Sequence, residues 1–203
     1  MLQPRPAVLL GLLLISVLAR LMPYILYRFG LNIDPATTVY PWNFTPFLPI
    51  CLFGAAYLKQ RWWAYAIPLS AYVLGDLGIW ALTGRFDWAV YPNQPMVYGC
   101  VCLTVTLGLL LRRNGSSLAI AGTGFSSAVL FFLITNFGVW ATGGGNGYSM
   151  DMQGLLNCYT LALPYFRNSL ISMAVFCPLL FSRLALMEPR EAAQLWPVTT
   201  LGR

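Results

Sequence analysis

A chain of 203 residues that is 58% apolar and only 9% charged, with a mean hydropathy of +0.66, is too oily for a soluble domain. Its net charge is +6 and it has no histidine, which excludes a Ser-His protease of the rhomboid type and a HExxH metalloprotease. An integral membrane protein is the expectation, and no alternating strand-like hydrophobicity competes with helical spans.

Taken in chain order, the apolar stretches predict an all-α polytopic bundle of six transmembrane helices over residues 7–28, 44–58, 62–82, 95–111, 117–141 and 155–183. They form one transmembrane domain over 1–203, with a short tail at 184–203. Met1 to Ala19 also has the basic start, apolar core and small-residue ending of a signal peptide. The apolar run continues through Leu21 to Tyr27, so the first helix is expected to be retained. The second span is short and carries Pro46 and Pro49, a pattern that often lines a cavity. Polar breaks fall at 32–41, 59–61, 84–94, 112–117 and 142–154, none long enough to separate two domains.

Basic residues set the orientation, because cytoplasmic loops retain Lys and Arg. Arg5, Lys59, Arg61, Arg112, Arg113, Arg183, Arg190 and Arg203 fall on one side, and only Arg28 and Arg85 on the other. Both termini are therefore expected in the cytoplasm, with the protein in a bacterial inner membrane. This asymmetry accounts for the positive charge through lipid headgroups and leaves no role for nucleic acid. Lys59 is the only lysine and there is no GxxxxGK[ST], so the chain has no P-loop of its own.

Asp76, Arg20 and Arg167 lie inside otherwise apolar stretches, where a charge is costly unless paired or wetted. At ~1.5 Å per residue, Arg20 and Asp76 sit roughly 12 Å and 9 Å below the outer ends of their helices. Asn43 opens the second span, Asn136 and Trp140 close the fifth, and Asn157 and Tyr159 begin the sixth, with Arg167 and Asn168 nearer its middle. Polar groups in hydrocarbon need partners, so these are expected to converge on a polar cavity open outward. The competing reading is that Asp76 braces one arginine and that the asparagines only bond helix to helix. One acid against two arginines leaves a positive charge over, which suits an anionic or acceptor-rich ligand better than a brace. Trp42, Phe44, Trp80, Trp88, Tyr91, Trp140 and Tyr148 read equally as stacking walls or as an interfacial aromatic belt.

The glycine-rich stretch at 143–147 lacks the strand and lysine of a phosphate cradle and reads as a loop or lid. Gly122, Gly124, Ser126, Ser127 and Ala128 form a small-residue face for helix packing. Cysteines 51, 100, 102, 158 and 177 all fall within spans, which argues against a disulfide framework, and without histidine or CxxC no metal site or other cofactor is expected.

Several stretches carry a resemblance. Asn43-Phe44-Thr45-Pro46, Leu52 to Tyr57 and Pro68 to Asp76 resemble the first half of a bacterial family of unknown function described as transport proteins. Ser127 to Trp140, and Gly154 to Asn168 with its Cys158-Tyr159 and Pro164 to Asn168, extend the likeness over most of residues 20–181. That family in turn resembles the substrate-binding S components of energy-coupling-factor (ECF) transporters. The resemblance implies six helices, cytoplasmic termini and an outward site capped by loops at about 29–43, 83–94 and 142–154. It also implies a vitamin-class or metal substrate, and a coupling membrane protein with ATPases as partners. The loop at 29–42 is longer than the resemblance implies, and the acidic residue expected after Asn168 is replaced around Ser172 and Met173. A larger loop suits a larger ligand, and a corrinoid such as cobalamin is one candidate.

The expected function is thus a non-enzymatic membrane protein that captures a small molecule from the outer face. Asp76, Arg20 and Arg167 would set its electrostatics, Asn43, Asn136, Asn157, Asn168 and Tyr159 would hydrogen-bond the ligand, and Trp42, Trp80 and Trp140 would stack on it. The alternative is a non-transporting scaffold whose polar residues lock helices together.

Overall fold

The computed structural model describes residues 3–30, 43–143 and 147–187. Its helices are α1 (Pro6–Arg28), α2 (Phe47–Tyr57), α3 (Arg61–Thr83), a single turn α4 (Phe86–Ala89), α5 (Gln94–Gly108), α6 (Ser117–Ala141) and α7 (Met152–Leu180). A 3-10 turn, Leu109–Arg112, extends α5. Five segments are long and apolar enough to cross a membrane, with α2 as a shorter apolar helix between them, so the chain is a multi-pass membrane bundle. Trp42, most of the first outer loop, part of the glycine-rich loop and the tail from 188 lie outside the described residues.

Local chemistry sets the helix boundaries. Proline at the first turn starts α1 and α5, where a missing N–H costs nothing. The Ser116 hydroxyl accepts the Ala119 amide at 3.2 Å to cap α6, and the Asp151 carboxylate accepts the Gly154 amide at 2.7 Å to cap α7. Gly84, at φ +68°, closes α3 in the left-handed conformation. The second span starts three residues later than its hydropathy suggests. Asn43 adopts φ +64°, Thr45 donates its amide to the Asn43 carbonyl at 3.0 Å, and Pro46 supplies the first non-helical residue of α2. The break expected at 84–94 holds the extra turn α4, and the last span ends at Leu180 rather than 183.

The bundle is organised around α2, which packs on α1, α3, α5, α6 and α7. Every residue from Pro49 to Ala55 is buried, with Leu52, Phe53 and Ala55 fully so, as expected of a helix apolar on all sides. Glycine permits one close approach: a Cβ on Gly108 would lie 2.7 Å from Ala55 Cβ and 2.9 Å from Leu52 Cα, so α5 meets α2 almost backbone to backbone. The small-residue face of α6 divides in two. Gly124, Ser127 and Ala128 are buried, with Gly124 against Met173 and Cys177 of α7, while Gly122 and Ser126 face outward.

The two chain ends meet. A two-residue strand β1 (Gln3–Pro4) pairs antiparallel with β2 (Leu186–Met187), the Arg5 amide donates to Ala185 O at 2.8 Å, and Arg5 Nε donates to Leu186 O at 3.1 Å. Both ends of the described chain therefore lie at one end of the bundle.

With 11 residues α2 is only about 16 Å long, roughly half the ~30 Å hydrocarbon core. Its carboxyl end is held by Arg112, whose Nε donates to Ala55 O at 2.7 Å and Nη2 to Leu58 O at 2.6 Å. These bonds fill carbonyls a helix end leaves unpaired, with a cation at the negative end of the dipole. Among the described residues no side chain caps the amino end. Replacing Arg112 by Ala is expected to lower stability by about 2 kcal/mol, read as a drop in Tm of the detergent-solubilised protein; an unchanged Tm would show that α2 does not need this cap.

Candidate functional site

Arg20 and Asp76 sit at matching heights on neighbouring helices that run in the same direction. Arg20 is 14 residues into α1 and Asp76 is 15 residues into α3, about 21–22 Å from the strand-bearing end in each case. Arg20 Nη2 donates to Asp76 Oδ1 in an ion pair. The other carboxylate oxygen accepts from Gln94 Nε2 at 2.7 Å and from the Tyr98 hydroxyl at 2.6 Å, both one turn apart on α5. Gln94 Nε2 also donates to Ala89 O of α4 at 3.0 Å. Asp76 of α3 is thereby joined to α1 and α5, and through Gln94 to α4, and is buried with both oxygens occupied. The Tyr72 ring covers the guanidinium with its centroid 4.2 Å from Cζ, and Tyr98 meets Tyr72 edge-on at 5.7 Å.

Two glycines of α3 let α1 come this close. A Cβ on Gly75 would lie 2.8 Å from Arg20 Cδ and 3.1 Å from Arg20 Nε, and one on Gly78 would lie 3.0 Å from Leu21 Cδ2. Arg20 Nε is buried and has no hydrogen-bond partner. An unsatisfied charged donor at this depth calls for an explanation beyond packing.

A cavity of about 150 Å³ opens beside this pair, in the space that α2 is too short to fill. Its walls come from α1 (Ser16, Arg20, Tyr24), the turn before α2 (Asn43, Thr45), the first turn of α2, Tyr72 of α3, Phe131 of α6, and Ser169 and Ser172 of α7. Among the described residues Arg20 is the only charged one of the lining; its side chain keeps 24% of its surface exposed, whereas Asp76 lies behind it. Ser172 donates its hydroxyl to Thr45 O and so fastens α7 to the turn that begins α2. Above the cavity, Trp88 packs on Tyr24 and Tyr27 at ring distances of 5.8 and 5.3 Å, and Arg85 stacks on Trp88 at 4.4 Å. A larger groove of about 570 Å³ between the strand-end halves of α6 and α7 is apolar apart from Ser117 and Cys177, and it contains no charged side chain.

Of the residues singled out in the sequence, Arg20 and Asn43 line the cavity and Asp76 supports it. The expected convergence of the rest does not occur. Arg167 is exposed on α7, so the positive charge expected to be left over is not in the cavity. Asn136 donates to Phe132 O of its own helix at 2.7 Å, Asn157 accepts from Gln153 at 3.0 Å on an exposed face, and Tyr159 donates to Leu133 O at 2.7 Å. Trp140 Nε1 donates to Ser149 O at 3.0 Å, and Trp80 is exposed and edge-on to Phe86 at 5.6 Å. Asn168 is half-buried and engaged, but it is not part of the lining. These side chains tie α6 to α7 or satisfy their own helix, which lipid-exposed amides require.

Sequence reasoning missed Gln94, Tyr98, Tyr72, Ser16, Ser169 and Ser172. A periodic signal existed for two of them, since Gln94 and Tyr98 are spaced to share one face of α5 opposite the only acid in a span. Outside the spans, the Ser149 hydroxyl and the Gly154 amide hold the Asp151 carboxyl below its ordinary range, in keeping with its cap on α7. The cysteines are free, and among the described residues no group of acids or thiols could hold a metal ion.

Residues 1–195 match a family described as of unknown function, DUF6580. The chain belongs to that family. No curated protein and no solved structure matches it.

The Gly75 approach gives a direct test of the site. Gly75→Ala is expected to displace Arg20 and cost about 1–3 kcal/mol. Gly122→Ala on α6, where a Cβ meets nothing within 4 Å, should leave stability unchanged or slightly raised. Equal Tm values for the two variants would contradict the close packing of α1 on α3 around Arg20.

Proposed function

We propose that the protein is a membrane-embedded binding protein that takes a small molecule from the outer face of a bacterial inner membrane into the cavity above α2 and passes it inward. The observation that carries this reading is a void about 21 Å from the strand-bearing end, in the outer half of the bundle, whose mainly apolar wall is set with serines and borders a largely buried guanidinium. A bundle that only needed stability would fill that volume, because interiors pack densely and each void forfeits contacts. A short helix that ends within the bundle is also where transporter sites are built.

The excess of Lys and Arg at the strand-bearing end supports a cytoplasmic position for both ends. The likeness to S components supplies the rest of the scheme: a vitamin-class substrate, with a separate coupling membrane protein and its ATPases to drive release. The size of the cavity favours a ligand of one ring over a corrinoid, since drug-sized ligands occupy pockets of ~300–1,000 Å³.

A second reading has its own support. Both oxygens of Asp76 are satisfied within the bundle, as a non-transporting scaffold would require. The two part on one experiment. Mild purification followed by native mass spectrometry should find a small molecule bound one to one, and it should be lost when Ser169→Phe fills the cavity while Tm stays within a few degrees. A protein that carries no small molecule, and whose Tm is indifferent to a broad metabolite panel, would favour the scaffold.

A further inference from the structure

The hydrogen-bonding state of the cavity wall defines what the cavity can accept. Three of its hydroxyls have already given away their protons: Ser16 donates to Leu12 O at 2.9 Å, Ser169 to Tyr165 O at 3.1 Å, and Ser172 to Thr45 O. Each hydroxyl has one donor and two acceptor lone pairs, so these three present only lone pairs to the void. Ser169 and Ser172 place that acceptor character on the α7 wall.

The opposite wall is a donor wall. Arg20 gives one Nη2 donor to Asp76, its Nε is buried against Gly75 of α3, and the rest of its guanidinium borders the void. The first turn of α2 borders the same space, and because Pro46 and Pro49 carry no N–H, its free donors are the Phe47 and Leu48 amides, which no side chain caps among the described residues. Among the described residues no aspartate or glutamate lines the cavity to compete for these donors.

Resting on the binding-protein reading above, we propose that the cavity's ligand is a compact acid, held with its carboxylate on Arg20 and the first turn of α2 and with an N–H or O–H donor directed at Ser169 and Ser172. Size agrees with this chemistry: a void near 150 Å³ holds a ring about as large as benzene. A planar carboxylate matches the fork of an arginine, and Tyr72 and Phe131 offer faces for a flat ring. Neutral molecules of the same shape leave the guanidinium donors not used by Asp76 without an anionic acceptor, and acids without a donor leave the serine lone pairs unpaired.

Three probes of nearly one shape separate these features. Pyrrole-2-carboxylate has both, 2-furoate lacks the ring N–H, and pyrrole-2-carboxamide lacks the charge. Titrated into the purified protein by calorimetry, pyrrole-2-carboxylate is expected to bind about tenfold or more tighter than either of the others. Ser169→Ala, whose hydroxyl bonds only within its own helix among the described residues, should bring pyrrole-2-carboxylate down to the level of 2-furoate while leaving 2-furoate unchanged. Arg20→Lys should weaken both acids and spare the amide. Equal binding of acid and amide, or a Ser169→Ala variant that keeps the preference for the N–H, overturns the assignment of an acid while leaving a binding protein. Absence of binding by all three overturns the assignment too, and the separate search for a co-purified molecule then decides whether the binding-protein reading survives it.

Discussion

The ion pair between Arg20 and Asp76 is the constraint on which the rest of the arrangement depends. Two charges at this depth cost several kcal/mol each to desolvate, and their attraction offsets this only when geometry and further hydrogen bonds are supplied. The chain supplies them from every side. Gly75 and Gly78 let α1 approach, Gln94 and Tyr98 fill the second carboxylate oxygen, and Tyr72 covers the guanidinium. Because the partners come from α1, α3, α4 and α5, the pair fixes the relative height and rotation of four elements. The unpartnered Nε is the single place where this satisfaction is incomplete.

A short central helix converts that constraint into a site. Helix α2 is buried on all sides and stapled at its carboxyl end by Arg112, but it stops about halfway through the bundle. Its neighbours continue past it. The space above its first turn is therefore bounded by the clasp on one side and by α7 serines on the other, and the Ser172 to Thr45 bond holds the two sides together. Stability and cavity share the same residues, so the scaffold and the binding readings describe the same clasp and differ only in whether the void beside it is used.

The helical bundle, with five long apolar helices and one shorter, was legible in the sequence because span length is set by bilayer thickness and shows directly in hydropathy. The family likeness was legible too, to the extent that the chain belongs to a family of unknown function. Arg20 and Asp76 stood out because charge in an apolar run is rare. The failure lay with the other polar side chains. Asn136, Asn157 and Arg167 stand out in an apolar run as Asn43 does, and nothing in hydropathy tells a side chain bonded to its own helix, or turned outward, from one that faces a cavity. Serines were missed for the opposite reason, since Ser16, Ser169 and Ser172 look like ordinary small residues of a span until their neighbours are known. Helix rotation is the missing quantity, and the low polarity contrast of a membrane helix hides it.

A double-mutant cycle tests the central claim most directly. Arg20→Met and Asp76→Asn would be made singly and together, and unfolding followed in one detergent. If the pair is the clasp described above, each single change costs about 3–5 kcal/mol by leaving a buried charge unpaired, and the double variant costs far less than the sum. Losses that add to within about 0.5 kcal/mol would show that the two groups act independently, and would contradict the account.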